Sequence, residues 1–165
     1  MPRFAGPVLL REMTNEDIPR VLDAQEAGAV VGLAEVFPQD AWPFPRAVIA
    51  QRWEEEIGTP GIDCLVVSLG GDVVGFAAVC EDEFLHFGIA IEHWGTGIAQ
   101  LAHDAVLNRL RARGVHRVWL RVFTKNTRGR RFYEKLGWIQ TGPASHSTLP
   151  PYAELLRYER DASGE

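Results

Sequence analysis

The chain has only two cysteines, Cys64 and Cys80, each inside an apolar run, and neither belongs to a Cys-x-x-Cys pair or a Cys/His ligand spacing. That absence excludes a cysteine-based zinc site, so no metal is expected, and it suits two inert thiols in the reducing cytoplasm. No apolar run approaches the ~20 residues that a membrane-spanning helix needs. Met1–Leu10 carries one arginine and too short an apolar stretch for a secretory signal, so no membrane partner is expected. Positive charge is scarce as well: 17 Lys and Arg stand against 22 Asp and Glu, for a net charge of -5. Phosphate neutralisation needs clustered basic side chains, so nucleic acid is not an expected partner, and a cationic small molecule fits the surface better. Repeats, low-complexity tracts and linkers are also missing. The chain, 46% hydrophobic and 24% charged, therefore reads as a single domain spanning residues 1–165 with apolar residues enough for its own core.

What is present is an ordered series of strand and helix patterns. Val8–Met13 reads as a strand, and Thr14-Asn15-Glu16-Asp17 resembles a capping box ahead of the stripe Ile18, Val21 and Leu22. Residues 32–47 are irregular, with Pro38, Pro43 and Pro45 interleaved among Phe37, Trp42 and Phe44. A second helix is expected from Pro45 to Ile57, stopped by Gly58. Ile62–Leu69 and Asp72–Cys80 form a hairpin pattern around Gly70-Gly71, and Phe84–Ile91 is a further strand. Gly95–Arg113 carries the best helical stripe, in Ile98, Leu101, Ala102, Ala105, Val106 and Leu110, with Gly114 as its stop. Arg117–Phe123 is a strand, Asn126–Leu136 a short helix, and Gly137–Thr141 and Tyr152–Tyr158 the closing strands. This order predicts a mixed α/β sheet with helices on its faces. The last strand is expected to be available for pairing, blunted by Arg157, Glu159 and Arg160, so monomer and homodimer both remain open.

Chemistry concentrates where the strand pattern ending at Ile91 runs into Trp94-Gly95-Thr96-Gly97-Ile98-Ala99 and opens the long helix. Such a junction aims free backbone N–H groups and the positive end of the helix dipole at one point, and glycines let a ligand approach closely. An anion, pyrophosphate in particular, is the natural occupant. A P-loop would need GxxxxGK, and a dinucleotide fold would need a third glycine and a later acid, none of which follows.

Further along lies Asn126, followed by Phe132-Tyr133-Glu134-Lys135-Leu136-Gly137-Trp138. Together the two segments resemble the GNAT superfamily of N-acetyltransferases: the first its cofactor motif Q/R-x-x-G-x-G/A, the second its Asn…(Phe/Leu)-Tyr-Glu-Lys-x-Gly-Phe segment. Gly97 and Ala99 match, whereas Trp94 stands where the family carries Gln or Arg. The resemblance implies a mixed, mostly antiparallel sheet of about six to seven strands, splayed in the middle and flanked by about four helices. It implies acetyl-CoA as cosubstrate, with the pantetheine arm along Ile89, Ala90 and Ile91. Trp94, Gly95, Thr96, Gly97, Ile98, Ala99 and Gln100 would surround the pyrophosphate, and Asn126 would contact the pantetheine or phosphate region. The acceptor would be a primary amine of a small molecule or peptide.

Tyr133 matches the family's general acid. For the base, Glu83 falls where some members carry a strand carboxylate, and His86 is the alternative; strand alternation sets these two on opposite faces. Phe37, Trp42, Phe44 and Trp53 would wall the acceptor pocket, with Glu35 or Asp40 attracting an ammonium, against a competing reading as core aromatics. A second functional reading is a catalytically silent acyl-CoA-binding regulatory module, and a third an interaction domain with no cofactor.

Overall fold

The computed structural model describes residues 7–162; the reading of Met1–Leu10 therefore falls in part outside the described residues. The strands are β1 (Val8–Glu12), β2 (Ile62–Leu69), β3 (Asp72–Cys80), β4 (Glu83–Ile89), β5 (Arg117–Phe123), β6 (Ile139–Gln140), β7 (Ser145–His146) and β8 (Glu154–Asp161). The α-helices are α1 (Ile18–Gly32), α2 (Arg46–Ile57), α3 (Ile98–Ala112) and α4 (Thr127–Lys135). The capping sequence works through its acid: the Thr14 N–H donates to Asp17 Oδ2 at 2.9 Å, while Arg11 grips both Asp17 oxygens at 2.8 Å. Pro19 sits in the first turn of α1, where a missing N–H costs nothing.

All eight strands form one sheet in the order β1-β2-β3-β4-β5-β8-β6, with β7 also on β8. Every pairing is antiparallel except β4 with β5. The Gly70-Gly71 hairpin forms as expected, both residues at positive φ (57° and 90°), which only glycine adopts freely. The last strand differs from expectation in two ways. A turn through Tyr152, at φ 61°, delays its start to Glu154, and the pairing of Arg117 with Asp161 carries it beyond Tyr158. It is also no free edge, since β5 flanks one side and β6 and β7 the other; Arg157 and Glu159 are spent on each other and on neighbouring strands.

Helices cover both faces. On the first, Ile18, Val21 and Leu22 of α1 and Ile49 and Trp53 of α2 pack on Cys64, Val66, Phe76 and Ala78. On the second, Val106, Leu107 and Leu110 of α3 pack on Leu65, Ala77, Val79, Val118, Leu120 and Val122, with Tyr133 and Leu136 of α4 alongside. Each fully buried Val, Leu, Ile or Phe among these contributes about 1.5–3 kcal/mol. The α3 stripe is rotated slightly from its sequence reading: His103 and Leu107 are buried, whereas Leu101 is 45% exposed. No helix among the described residues is long and apolar enough to cross a membrane.

Candidate active site

Between β4 and β5 the sheet opens. Their ladder holds a single pair, Glu83 with Trp119, at the start of both strands, and beyond it the two part. A short 3-10 turn, Ile91–His93, follows β4 and leads to Trp94 and the glycine turn. Gly95 and Gly97 take φ 77° and 93°, so the turn needs these glycines. Among the described residues the N–H groups of Gly95, Gly97, Ile98, Ala99 and Gln100 have no protein acceptor, which leaves the positive end of α3 open where the strands diverge. Thr96 is turned inward, its hydroxyl donating to the His93 carbonyl at 2.6 Å. The Ala90 N–H is likewise spent, on the Val74 carbonyl at 2.8 Å.

Trp94 occupies a seat that its sequence position does not announce. Its indole N–H donates to the Ile89 carbonyl at 2.8 Å. The ring lies against the end of α1, where a Cβ on Gly32 would come within 3.3 Å of it. From the other side the Arg128 guanidinium stacks over the ring, 4.0 Å from its centroid. The pairing of Gly28 with Gly32 in α1 was the available signal, since a helix spends glycine where another group must come close. Asn126 caps α4, its Oδ1 accepting the Gly129 N–H at 2.9 Å, while its Nδ2 has no acceptor among the described residues.

Tyr133 stands on α4 among aromatic rings, with Phe132 at 5.3 Å and Trp138 at 5.8 Å between centroids. Its hydroxyl makes no hydrogen bond among the described residues, and burial pushes the phenol above its ordinary value, so it stays protonated at neutral pH. Behind it the fully buried His103 accepts from the Trp138 indole at Nε2 (2.9 Å) and bonds Asp104 through Nδ1 (2.9 Å). Burial lowers the His103 pKa and keeps the ring neutral, while Asp104 opposes the shift.

Glu83 and His86 depart from the alternation expected of them. Val79 pairs with Phe84, yet its neighbour Ala78 pairs with His86, so Leu85 is an extra residue, a β-bulge. The slip brings His86 onto the first face, the face of Glu83: Cys80 and Ala78, their partners on β3, lie two apart. Glu83 bonds Arg121 at 3.2 Å, and His86 Nε2 lies 2.9 and 3.2 Å from the two carboxylate oxygens of Glu56. The irregular segment after α1 reaches the same face. Phe37 packs edge-on against Phe123 at the end of β5, 5.4 Å between centroids. Gln39 braces this loop, donating to the carbonyls of Phe37 and Trp42 and accepting from the Phe44 N–H. The four aromatics are not one wall: Trp53 and Phe44 pack with the core under α1 and α2, and Trp42 is 40% exposed.

A family model described as the Acetyltransferase (GNAT) family matches residues 31–138, which includes the opened strands, the glycine turn and Tyr133. No protein of curated function matches the chain in sequence. Among solved structures, a GCN5-related N-acetyltransferase structure from Rhodopseudomonas palustris is 15% identical with a TM-score of 0.75, covering 96% of this chain and 98% of that one. Spermidine N-acetyltransferase from Vibrio cholerae, in complex with CoA and spermine, is 16% identical with a TM-score of 0.70, covering 95% and 96%. Ard1 from Thermoplasma volcanium is 22% identical with a TM-score of 0.64, covering 93% and 97%. Identities this low speak for the fold alone. The family match, spanning most of the chain and the whole opened site, shows that this protein belongs to the acetyltransferase (GNAT) family.

Proposed function

We propose that the protein transfers the acetyl group of acetyl-CoA to a primary amine of a small molecule or peptide, by direct attack within a ternary complex. One observation carries this reading: the parting of β4 from β5 directly ahead of a turn whose unpaired amides open α3. An extended amide-containing arm ending in pyrophosphate suits both features. The arm takes the free edge of β4 and the residues Ile89, Ala90 and Ile91. The amides from Gly95 to Gln100 take the pyrophosphate, as a helix N-terminus favours.

Aminolysis of a thioester asks for three things. The alkylammonium, of pKa about 10, must lose a proton. The tetrahedral oxyanion needs donors, which backbone N–H groups near Ile91 can supply. The departing thiolate, of pKa about 8.5, needs a proton, and Tyr133 holds one on an uncommitted hydroxyl. Glu83 and His86 are the groups on the acceptor side able to take the first proton. Phe37, beside Phe123 at the end of β5, is the best placed of the predicted pocket residues, with Trp42 nearer the surface and Glu35 and Asp40 exposed to draw a cation. The Vibrio cholerae relative, with its polyamine, makes polyamines the first acceptors to try.

The test is a thermal melt with acetyl-CoA and with free CoA, followed by an amine panel. At 100 times its dissociation constant a ligand adds about 2.7 kcal/mol of stability, a shift of several degrees. No shift with either would remove the cofactor site. One observation favours a silent CoA-binding regulatory module instead: the Trp94 indole takes a lone pair of the Ile89 carbonyl beside the cofactor slot. Binding without turnover across the panel would support that module.

A further inference from the structure

We infer that His86, held by Glu56, is the group that takes the proton from the acceptor ammonium, an inference that rests on the acetyl-transfer reading above. The bulge at Leu85 is the first support, because it turns His86 toward the first face of the sheet, the face on which Phe123 of β5 meets Phe37. The second is the state of the two candidate bases. Glu83 is occupied by Arg121 and its side chain is 13% exposed. The His86 side chain is 36% exposed, and only one of its ring nitrogens is engaged.

The engaged nitrogen is the informative one. Nε2 faces both oxygens of Glu56, so it carries the proton and donates, leaving the lone pair on Nδ1, which has no partner among the described residues. Glu56 lies in the last turn of α2, and Trp53 of the same helix sets its edge against the imidazole, 5.2 Å between centroids. Trp53 is itself fixed by donating to Gln25 Oε1 at 2.9 Å. A carboxylate that fixes the tautomer and steadies the imidazolium, with the opposite nitrogen free, is the arrangement a general base needs. The charged or titratable groups around the ring on that face are Glu56 of α2, Glu83 of β4 with its Arg121 partner on β5, Cys80 of β3 and Cys64 of β2. Burial pushes the Cys64 thiol up to about 12 and raises that of Cys80, so neither thiol titrates near neutrality.

The proton balance is then complete. The ammonium gives one proton to Nδ1, the freed nitrogen lone pair forms the C–N bond, and the C–S bond breaks with its electron pair on sulfur. Sulfur takes the phenolic proton of Tyr133, and the second proton shed by nitrogen restores the phenol. The proton on His86 passes to solvent.

The experiment is the pH profile of kcat/KM for the wild type and for His86→Gln, Glu56→Gln and Glu83→Gln, with the acetyl-CoA melt shift recorded for each. The expected loss in His86→Gln is about 10²–10⁴-fold, with the acid limb of the profile gone. Glu56→Gln keeps the acetyl-CoA melt shift but lowers kcat/KM by about 10-fold or more, because an amide bonds Nε2 in either tautomer and no longer fixes the lone pair on Nδ1. Glu83→Gln keeps the limb of the wild type. A wild-type profile in both His86→Gln and Glu56→Gln, or loss of the limb in Glu83→Gln alone, overturns the inference. If His86→Gln fails to fold, kcat/KM of Glu56→Gln at an unchanged acetyl-CoA melt shift decides, and a wild-type value overturns the inference. Absence of turnover in the wild type would instead refute acetyl transfer itself.

Discussion

Replacing Tyr133 with phenylalanine removes one oxygen that the fold does not use. The ring contacts to Phe132 and Trp138 survive, and the hydroxyl has no hydrogen-bond partner among the described residues to leave stranded. Stability should therefore change by no more than about 0.5 kcal/mol. Chemistry should not be so forgiving. If Tyr133 supplies the proton to the leaving sulfur, its loss should lower kcat by about 10²–10⁴-fold, a barrier increase of about 3–5 kcal/mol. The assay pairs amine-dependent release of CoA thiol with a thermal melt in acetyl-CoA, so that a rate loss is read against an intact fold and cofactor site. Because burial holds the phenol protonated, the wild type should show no alkaline decline from this residue below its ordinary phenol range, about pH 10. A Tyr133→Phe enzyme within about threefold of wild-type kcat would refute the assignment.

Three further outcomes follow from the packing. His103 has a folded-state pKa below its unfolded value, so the unfolded chain binds more protons and stability falls as pH drops below about 6.5; His103→Gln, which keeps an acceptor for the Trp138 indole, should flatten that acid dependence in melts, and an unchanged slope would count against it. Asp17 is held down to about 2 by the Arg11 ion pair and the Thr14 N–H, a contribution present above about pH 3.9 and lost toward pH 2. With Arg11 half-exposed and screened, Asp17→Asn should cost about 1–2 kcal/mol at neutral pH in urea unfolding, and no cost would show the pair to be idle. Trp94→Gln gives up the indole hydrogen bond and the Arg128 stack, for about 1–3 kcal/mol of stability. It should still bind acetyl-CoA in a calorimeter, since backbone amides hold the pyrophosphate, and complete loss of binding would contradict that.

Local patterns made much of the fold legible. Gly70-Gly71 set a hairpin, the helix expected over Gly95–Arg113 forms over Ile98–Ala112 ahead of Gly114, and the step from strand to glycine turn to helix lies where unpaired amides open α3. What stayed hidden depended on contacts between distant segments or on a single extra residue. Nothing in Phe84-Leu85-His86-Phe87 marks Leu85 as a bulge, yet that one residue reversed the expected facing of His86. Glu56 sits on a helix that reads as an ordinary charged face, and only tertiary packing brings it to β4. The Trp94 seat likewise required α1, the end of β4 and α4 together. The closing strand was displaced because the turn through Tyr152 and the charge pairs of Arg117 with Glu159 and Asp161, rather than apolar alternation, fix its limits.

The most direct measurement is mass spectrometry of a polyamine and amine-peptide panel incubated with the purified protein and acetyl-CoA, with thiol release followed in parallel. The account predicts an acceptor that gains one acetyl group for each CoA thiol released, only when protein, acetyl-CoA and amine are all present. Saturable acetyl-CoA binding with no acetylated product from any amine would contradict it.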